Sequence, residues 1–467
     1  MRQACSVVHI ENSYASGRRK RPRGPRAVPA VKTTSKVDAI PRRPLVDLKT
    51  TAVWYYLHYH LQPPDDPANT SRGVSDEFLP MWKSKSDCPL LDLAISSMAL
   101  AVFSRTKQHL PAATEASTAY HQLLKTVRAT IPSLSNENID RYLIAMFFMS
   151  RYENVVHCIN HLNHKLPFAT TLKNFLHHDG ALAILKVWKS RLSHTQLATD
   201  VIKHSRRGLI RSAILRKLAI PEWMRDGTDF GEQGLELEYD RIVVRLAILR
   251  QRLSVLRRES PYMQRSACEP NLTAEELTEE ALGIDQALHD WATRFPSNWH
   301  PERHNLSNTY SCPTEGFYTH KIYHYATRAY AAIWNQYYST RMLVNSTRMR
   351  ALELSQSNTD YLVYKQQRAA CLSHIMNMGD DLAASVPYCL HRFKVGSPSD
   401  YDSISLNTNK EVEPYVAALI VWPLGIASSL GDVNETQKAW FRAELRNLGR
   451  LIGDRVLEDG DTDQWGL

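Results

Sequence analysis

The stretch Ser135–Glu153, SNENIDRYLIAMFFMSRYE, carries the fold class of the whole chain. Ser135 stands where a helix cap is needed. Glu137 falls in the first turn, where a carboxylate suits the positive end of the macrodipole. Tyr142, Leu143, Ala145, Met146, Phe147 and Met149 then make the helix apolar nearly all round. Such a helix has no solvent face, so the pattern predicts the centre of a helical bundle.

The same texture continues on both sides. Leu90, Leu91, Ala94, Ile95, Met98, Ala101 and Val102 stripe one helical face, and Tyr120, Leu123, Leu124 and Val127 stripe another that Pro132 ends. Thr273-x-x-Glu276 has the form of a capping box. Leu235, Tyr239, Ile242, Leu246, Leu249, Leu253 and Leu256 recur at spacings of 4-3-4-3-4-3. That seam suits either a dimer coiled coil or a helix inside a bundle; Val243 and Ala247 widen it and favour the bundle. Phe295–Pro313 and Gly396–Glu413 are rich in turn formers and read as surface connections. No segment alternates with period two for long enough to suggest a sheet. The expected fold is all-α: a large multi-helix body over residues 50–467, in one piece or as two packed helical subdomains, behind a disordered basic leader over residues 1–49.

Charge placement separates leader from body. The net charge of the 467 residues is +9. Gly17–Lys49 holds eleven Lys or Arg against Asp38 and Asp47, which accounts for all of it, so the body from Thr50 onward is neutral as a whole. Pro22, Pro25, Pro29, Pro41 and Pro44 break any helix in the leader, and few large apolar residues support a core there. Arg18, Arg19, Lys20, Arg21, Arg23 and Arg26 form a dense basic run. Three readings stay open for it: a nuclear import signal, an accessory contact to nucleic-acid phosphates, or a solvated tail. No apolar run suits a membrane span, and the N-terminus has no apolar segment of the secretory kind. Seven scattered cysteines fit reduced thiols of the cytosol or nucleus better than a disulfide framework.

Signatures of catalysis are missing from the sequence: no phosphate loop, dinucleotide turn, nucleophile elbow or His-Glu-x-x-His helix occurs. His157, His161 and His164 would share one helical face, with Cys158 beside them. Yet two turns spread the histidines over roughly 10 Å, too far for one tetrahedral ion. They read as ordinary polar residues, and His58 and His60, in an aromatic run, read as packing or edge residues. No metal, cofactor or catalytic residue is assigned. Cys-x-x-Cys pairs are absent, which removes the compact cysteine cluster by which many fungal regulators enter the major groove.

Several segments, in order, carry a resemblance. They are Val53-Trp54-Tyr55-Tyr56-Leu57, Phe78-Leu79-Pro80-Met81-Trp82 before the helix Leu90–Phe103, Ala119–Leu124, Leu143–Glu153 ending in Tyr152-Glu153, and His177-His178-Asp179-Gly180-Ala181. The second half adds Trp334-Asn335-Gln336-Tyr337-Tyr338-Ser339-Thr340-Arg341, Ala384-Ser385-Val386-Pro387-Tyr388, Val421-Trp422-Pro423-Leu424-Gly425-Ile426-Ala427, and then Trp440 and Leu445. Together they resemble the regulatory, fungal-specific region that follows the zinc cluster in fungal Zn(2)-Cys(6) transcription factors. Tyr338 replaces the family's usual arginine and Leu123 its usual alanine. The resemblance implies a nuclear transcription regulator, often a homo- or heterodimer and often tied to secondary metabolism. Its partners would be other transcription factors or co-regulators. Of the six cysteines of the zinc cluster only Cys5 stands upstream of the basic run, so DNA contact is expected to be weak or indirect. The alternative is an interaction protein that binds no DNA and pairs with or titrates another regulator; a remoter one is an enzyme on an unfamiliar helical fold.

Overall fold

Asp47 starts the first helix: its side chain accepts a hydrogen bond from the Thr50 backbone N–H at 2.7 Å, satisfying a donor that has no partner within the helix. In this computed structural model the described residues are 47–61, 88–156, 175–193, 197–258, 273–306, 312–356, 360–396, 404–407 and 412–459. Helix α1 (Leu48–Tyr56) continues into a π-helical turn, Leu57–Leu61. It is followed by α2 (Pro89–Lys107), α3 (Leu110–Thr130), α4 (Ile139–Val156), α5 (Leu176–Val187) and α6 (Asp200–Arg216). Then come α7 (Gly234–Arg258), α8 (Ala274–Thr293), α9 (Arg328–Ser355), α10 (Tyr361–Cys389), α11 (Pro414–Ser429), α12 (Glu435–Ile452) and α13 (Arg455–Asp459). The fold is all-α, as the periodicity predicts. No described helix is long and apolar enough to cross a membrane.

The central helices bury more than a stripe. Every residue of α2 from Ala94 to Val102 is buried, and the Ser97 hydroxyl there is satisfied by the Ala94 carbonyl at 3.0 Å. Helix α4 packs on α2, α5 and α6, which explains why Tyr142, Leu143, Ala145, Met146 and Met149 are all buried. It begins at Ile139, later than the Ser135 cap implies. The Ser135 carbonyl takes the Asn138 and Ile139 N–H groups, and the Asn138 side chain accepts from the Ser135 N–H at 2.8 Å. In α3 the buried line is Ala112, Ala116, Leu123 and Val127. Leu124, expected in that stripe, faces solvent.

The heptad seam on α7 is filled from within. Tyr239 stacks on Trp291 of α8 with ring centres 4.7 Å apart, and its hydroxyl lies 2.9 Å from Thr340 Oγ1 of α9. Ile242, Leu246, Leu249 and Leu253 are buried in the main core. Thr273 and Glu276 form both arms of the capping box that starts α8. One hydrophobic core runs from Ala52 to Leu457 through α1–α6 and α7–α13 alike.

Two short antiparallel pairs interrupt the helices. β1 (Glu302–Asn305) pairs with β2 (Lys321–His324), and β3 (Phe393–Val395) with β4 (Ile404–Leu406). Strands β1 and β4 lie in the two segments whose composition reads as plain connections. At three or four residues each, these strands are too short to show alternation in a sequence. Leu306, Phe317, Ile322 and Phe393 close a second, small core beneath them.

Candidate functional site

Distant polar side chains meet in several places among the described residues. The first joins α3, α4 and α5. The Tyr120 hydroxyl donates to Glu153 Oε1 at 2.7 Å and lies 2.9 Å from His177 Nε2. His177 Nε2 is in turn 2.9 Å from the same Glu153 oxygen. Tyr120 also stacks on Tyr152, ring centres 4.0 Å apart. Burial, and then the hydrogen bond and charge of Glu153, raise the Tyr120 hydroxyl far above its ordinary range, so it stays a neutral donor. Next to it, His178 lies 3.2 Å from Ser150 Oγ; burial foremost, with Arg216 adding, pushes its imidazole down to about 4. The three elements are thereby held by neutral and charge-assisted hydrogen bonds in a half-buried joint.

A matching joint ties α9 to α10. Asn335 donates from Nδ2 to Cys389 Sγ at 3.1 Å, and the Cys389 thiol is pushed up to about 11 chiefly by burial. Arg341 grips Asp285 of α8 through two hydrogen bonds of 2.9 and 3.0 Å, and Asn345 adds a third at 2.7 Å.

A further meeting place is the module of short strands resting on α10 and α12. Tyr323 and Lys321 both donate to Asp381 Oδ1, at 2.6 and 2.9 Å, which fastens β2 to α10. Arg392 donates to the Gly316 carbonyl at 2.8 Å and to buried Glu444 at 2.6 Å. Gly316 sits at φ 100°, which favours glycine, and a Cβ there would lie 3.0 Å from Arg392 Cδ, so the arginine side chain would have to shift slightly. Between the two strand pairs lies a cleft of about 230 Å³, lined by Leu306, Cys312, Glu315, Phe317, Arg392 and Asn407. Desolvation raises the Cys312 thiol, the opposite of what an activated nucleophile needs. On the β1–β2 pair, Glu302, His304 and His324 place ligating atoms within 4.8 Å of one another.

Arg18, Arg19, Lys20, Arg21, Arg23 and Arg26 lie outside the described residues, as do His157, Cys158, His161, His164 and Phe78–Trp82. Half-buried His60 stacks on Tyr56 at 5.0 Å, and exposed His58 stacks on exposed Trp54 at 5.1 Å, a packing and an edge position. The Glu302–His304–His324 cluster was not legible as a site. Glu302 and His304 stand two apart in a segment read as a loop, and only strand pairing brings His324 beside them.

No protein-family model matches the chain, and neither a curated protein nor a solved structure is found to be similar to it.

Proposed function

We propose that the chain is a nuclear regulator of transcription of the fungal-specific type, acting through protein contacts of its helical body. The observation that supports this reading is the Tyr120–Glu153–His177 joint. Each of its three residues comes from a different segment that resembles a motif of that family: the tyrosine of Ala119–Leu124, the closing glutamate of Leu143–Glu153 and the first histidine of His177–Ala181. In the second half, Asn335 of the Trp334–Arg341 segment meets Cys389, which directly follows the Ala384–Tyr388 segment. Residues that distinguish the motifs are thus the ones that tie helices together. The body from Thr50 onward carries no net charge, and the dense Arg18–Arg26 run is the candidate for attracting nucleic-acid phosphate.

The test replaces Arg18, Arg19, Lys20, Arg21, Arg23 and Arg26 by glutamine in the full chain, leaving Asp47 and α1 intact. The natural chain should accumulate in the nucleus and the variant should not. Removing the gene should change the transcript levels of a defined set of genes. A chain that is cytosolic with or without the substitutions, and whose loss leaves transcripts unchanged, refutes the reading. Nuclear protein that co-purifies with another regulator and retains no DNA supports the partner-titrating alternative instead.

A further inference from the structure

We propose that Glu302, His304 and His324 form a binding site for a divalent transition metal, with Zn²⁺ the ion whose chemistry fits them best. Antiparallel pairing sets Glu302 directly opposite His324, and His304, two residues along β1, projects from the same face. The other face of the pair is spoken for, since Tyr323 and Lys321 bind Asp381 there. The three side chains therefore converge for a backbone reason and not by chance rotation of exposed groups. Buried Ile322 lies on the same face, opposite His304, and packs into the small core.

The spacing suits a shared cation better than it suits hydrogen bonds. Glu302 Oε2 is 3.8 Å from His304 Nε2 and 3.5 Å from His324 Nδ1. A tetrahedral zinc with ligands at about 2.0–2.2 Å has ligand–ligand edges of about 3.4 Å, so the ion requires a closure of only a few tenths of an ångström on these two edges. Both imidazole nitrogens are buried from solvent, and neither has a hydrogen-bond partner among the described residues. A buried, unsatisfied ring nitrogen costs free energy; a metal would use both lone pairs at once. Two imidazoles and one carboxylate suit zinc and its transition-metal neighbours, whereas calcium and magnesium prefer oxygen donors alone. Three protein ligands leave the fourth position to solvent, which reaches the site along the exposed Glu302 side chain. Zn²⁺ binding at these three residues does not depend on whether the chain regulates transcription.

The experiment uses the untagged full-length protein, stripped by a chelator and titrated with Zn²⁺ against a chromogenic competitor. One Zn²⁺ per chain should be lost in His304→Ala and in His324→Ala and retained in His161→Ala, the control for the other histidine-rich segment. Glu302→Gln removes an exposed charge and should keep the wild-type circular dichroism and urea midpoint. It should nevertheless weaken Zn²⁺ at least ~10-fold, the lower end of what loss of even an outer-sphere partner costs a metal site. Unchanged affinity in folded Glu302→Gln, loss of the ion in His161→Ala alone, or the absence of saturable binding to the natural chain would each overturn the proposal.

Discussion

Arg206 of α6 and Asp240 of α7 face each other with both side chains almost wholly buried: Nη1 lies 2.6 Å from Oδ1 and Nη2 2.9 Å from Oδ2. The guanidinium also donates from Nε to the Met224 carbonyl at 2.9 Å and covers the Phe230 ring at 4.8 Å. Removing one partner strands the other charge in the core, which costs about 3–5 kcal/mol. Asp240→Ala should lower the urea-unfolding free energy by that much. Arg206→Leu combined with Asp240→Leu should cost clearly less than the two single changes added together, since neither charge is then left alone. Strict additivity in that double-mutant cycle would show that the pair is not coupled.

Gly227 leaves the space in which Asp240 sits. A Cβ at this position would meet Asp240 Oδ2 at 2.5 Å and Glu232 Cγ at 3.0 Å. Gly227→Ala should therefore cost about 1–3 kcal/mol, as overpacking does, and the loss should shrink in an Asp240→Ala background. Urea midpoints of the four proteins check this.

The seam on α7 makes a different kind of prediction. Leu246 has no exposed surface, so Leu246→Ala should cost about 2–5 kcal/mol. Its sedimentation coefficient under native conditions should match that of the natural chain. A change of association state would place the seam between chains and contradict the packing of Tyr239 against Trp291 and Thr340.

Acid should weaken the fold well before carboxylates titrate. Burial first, then Arg211, Arg207 and Arg151, hold the His204 imidazole down at about 3. Burial and Arg151 likewise hold His60 down at about 3. In the unfolded chain a histidine takes its proton near pH 6.5. Between that pH and the lowered folded value the unfolded state binds more protons, so stability falls as pH falls, by roughly 1.4 kcal/mol per pH unit for each such group. The urea midpoint should drop between pH 7 and pH 5, and His204→Gln should shrink that drop. A midpoint equal at both pH values would contradict the neutral, buried state of these rings.

The cap of α8 is a local device and should behave as one. Thr273 accepts from the Glu276 N–H at 3.2 Å, and Glu276 accepts from the Thr273 N–H at 2.7 Å. Thr273→Ala should cost about 1 kcal/mol, read from the urea midpoint, with the Zn²⁺ titration unaltered.

How legible each feature was follows from the range of the interaction behind it. The capping box at Thr273 and Glu276 and the apolar run from Tyr142 to Met149 are written in residues three or four apart, and both are where the pattern puts them. Ser135 stands at the head of α4, where its carbonyl takes the Ile139 N–H and the Asn138 side chain, three residues on, accepts from its own N–H. Leu124 failed as a core residue because α3 packs through Ala112, Ala116 and Leu123, and small alanines carry little signal in a sequence. Strands β1 to β4 were missed because three or four residues cannot display a period.

Helical character, the neutral body behind a basic leader and the caps were therefore readable from residue order, since each depends on neighbours along the chain. The meetings of Tyr120 with Glu153 and His177, of Arg206 with Asp240, and of Glu302 with His304 and His324 were not. They depend on how elements far apart in sequence pack and pair, and a polar side chain carries no mark of its partner until that packing exists. The heptad seam shows the difference most directly. Its spacing is the same for a dimer and for a bundle, and it was the arrival of α8 and α9 against α7, burying Leu246 and stacking Trp291 on Tyr239, that chose between them.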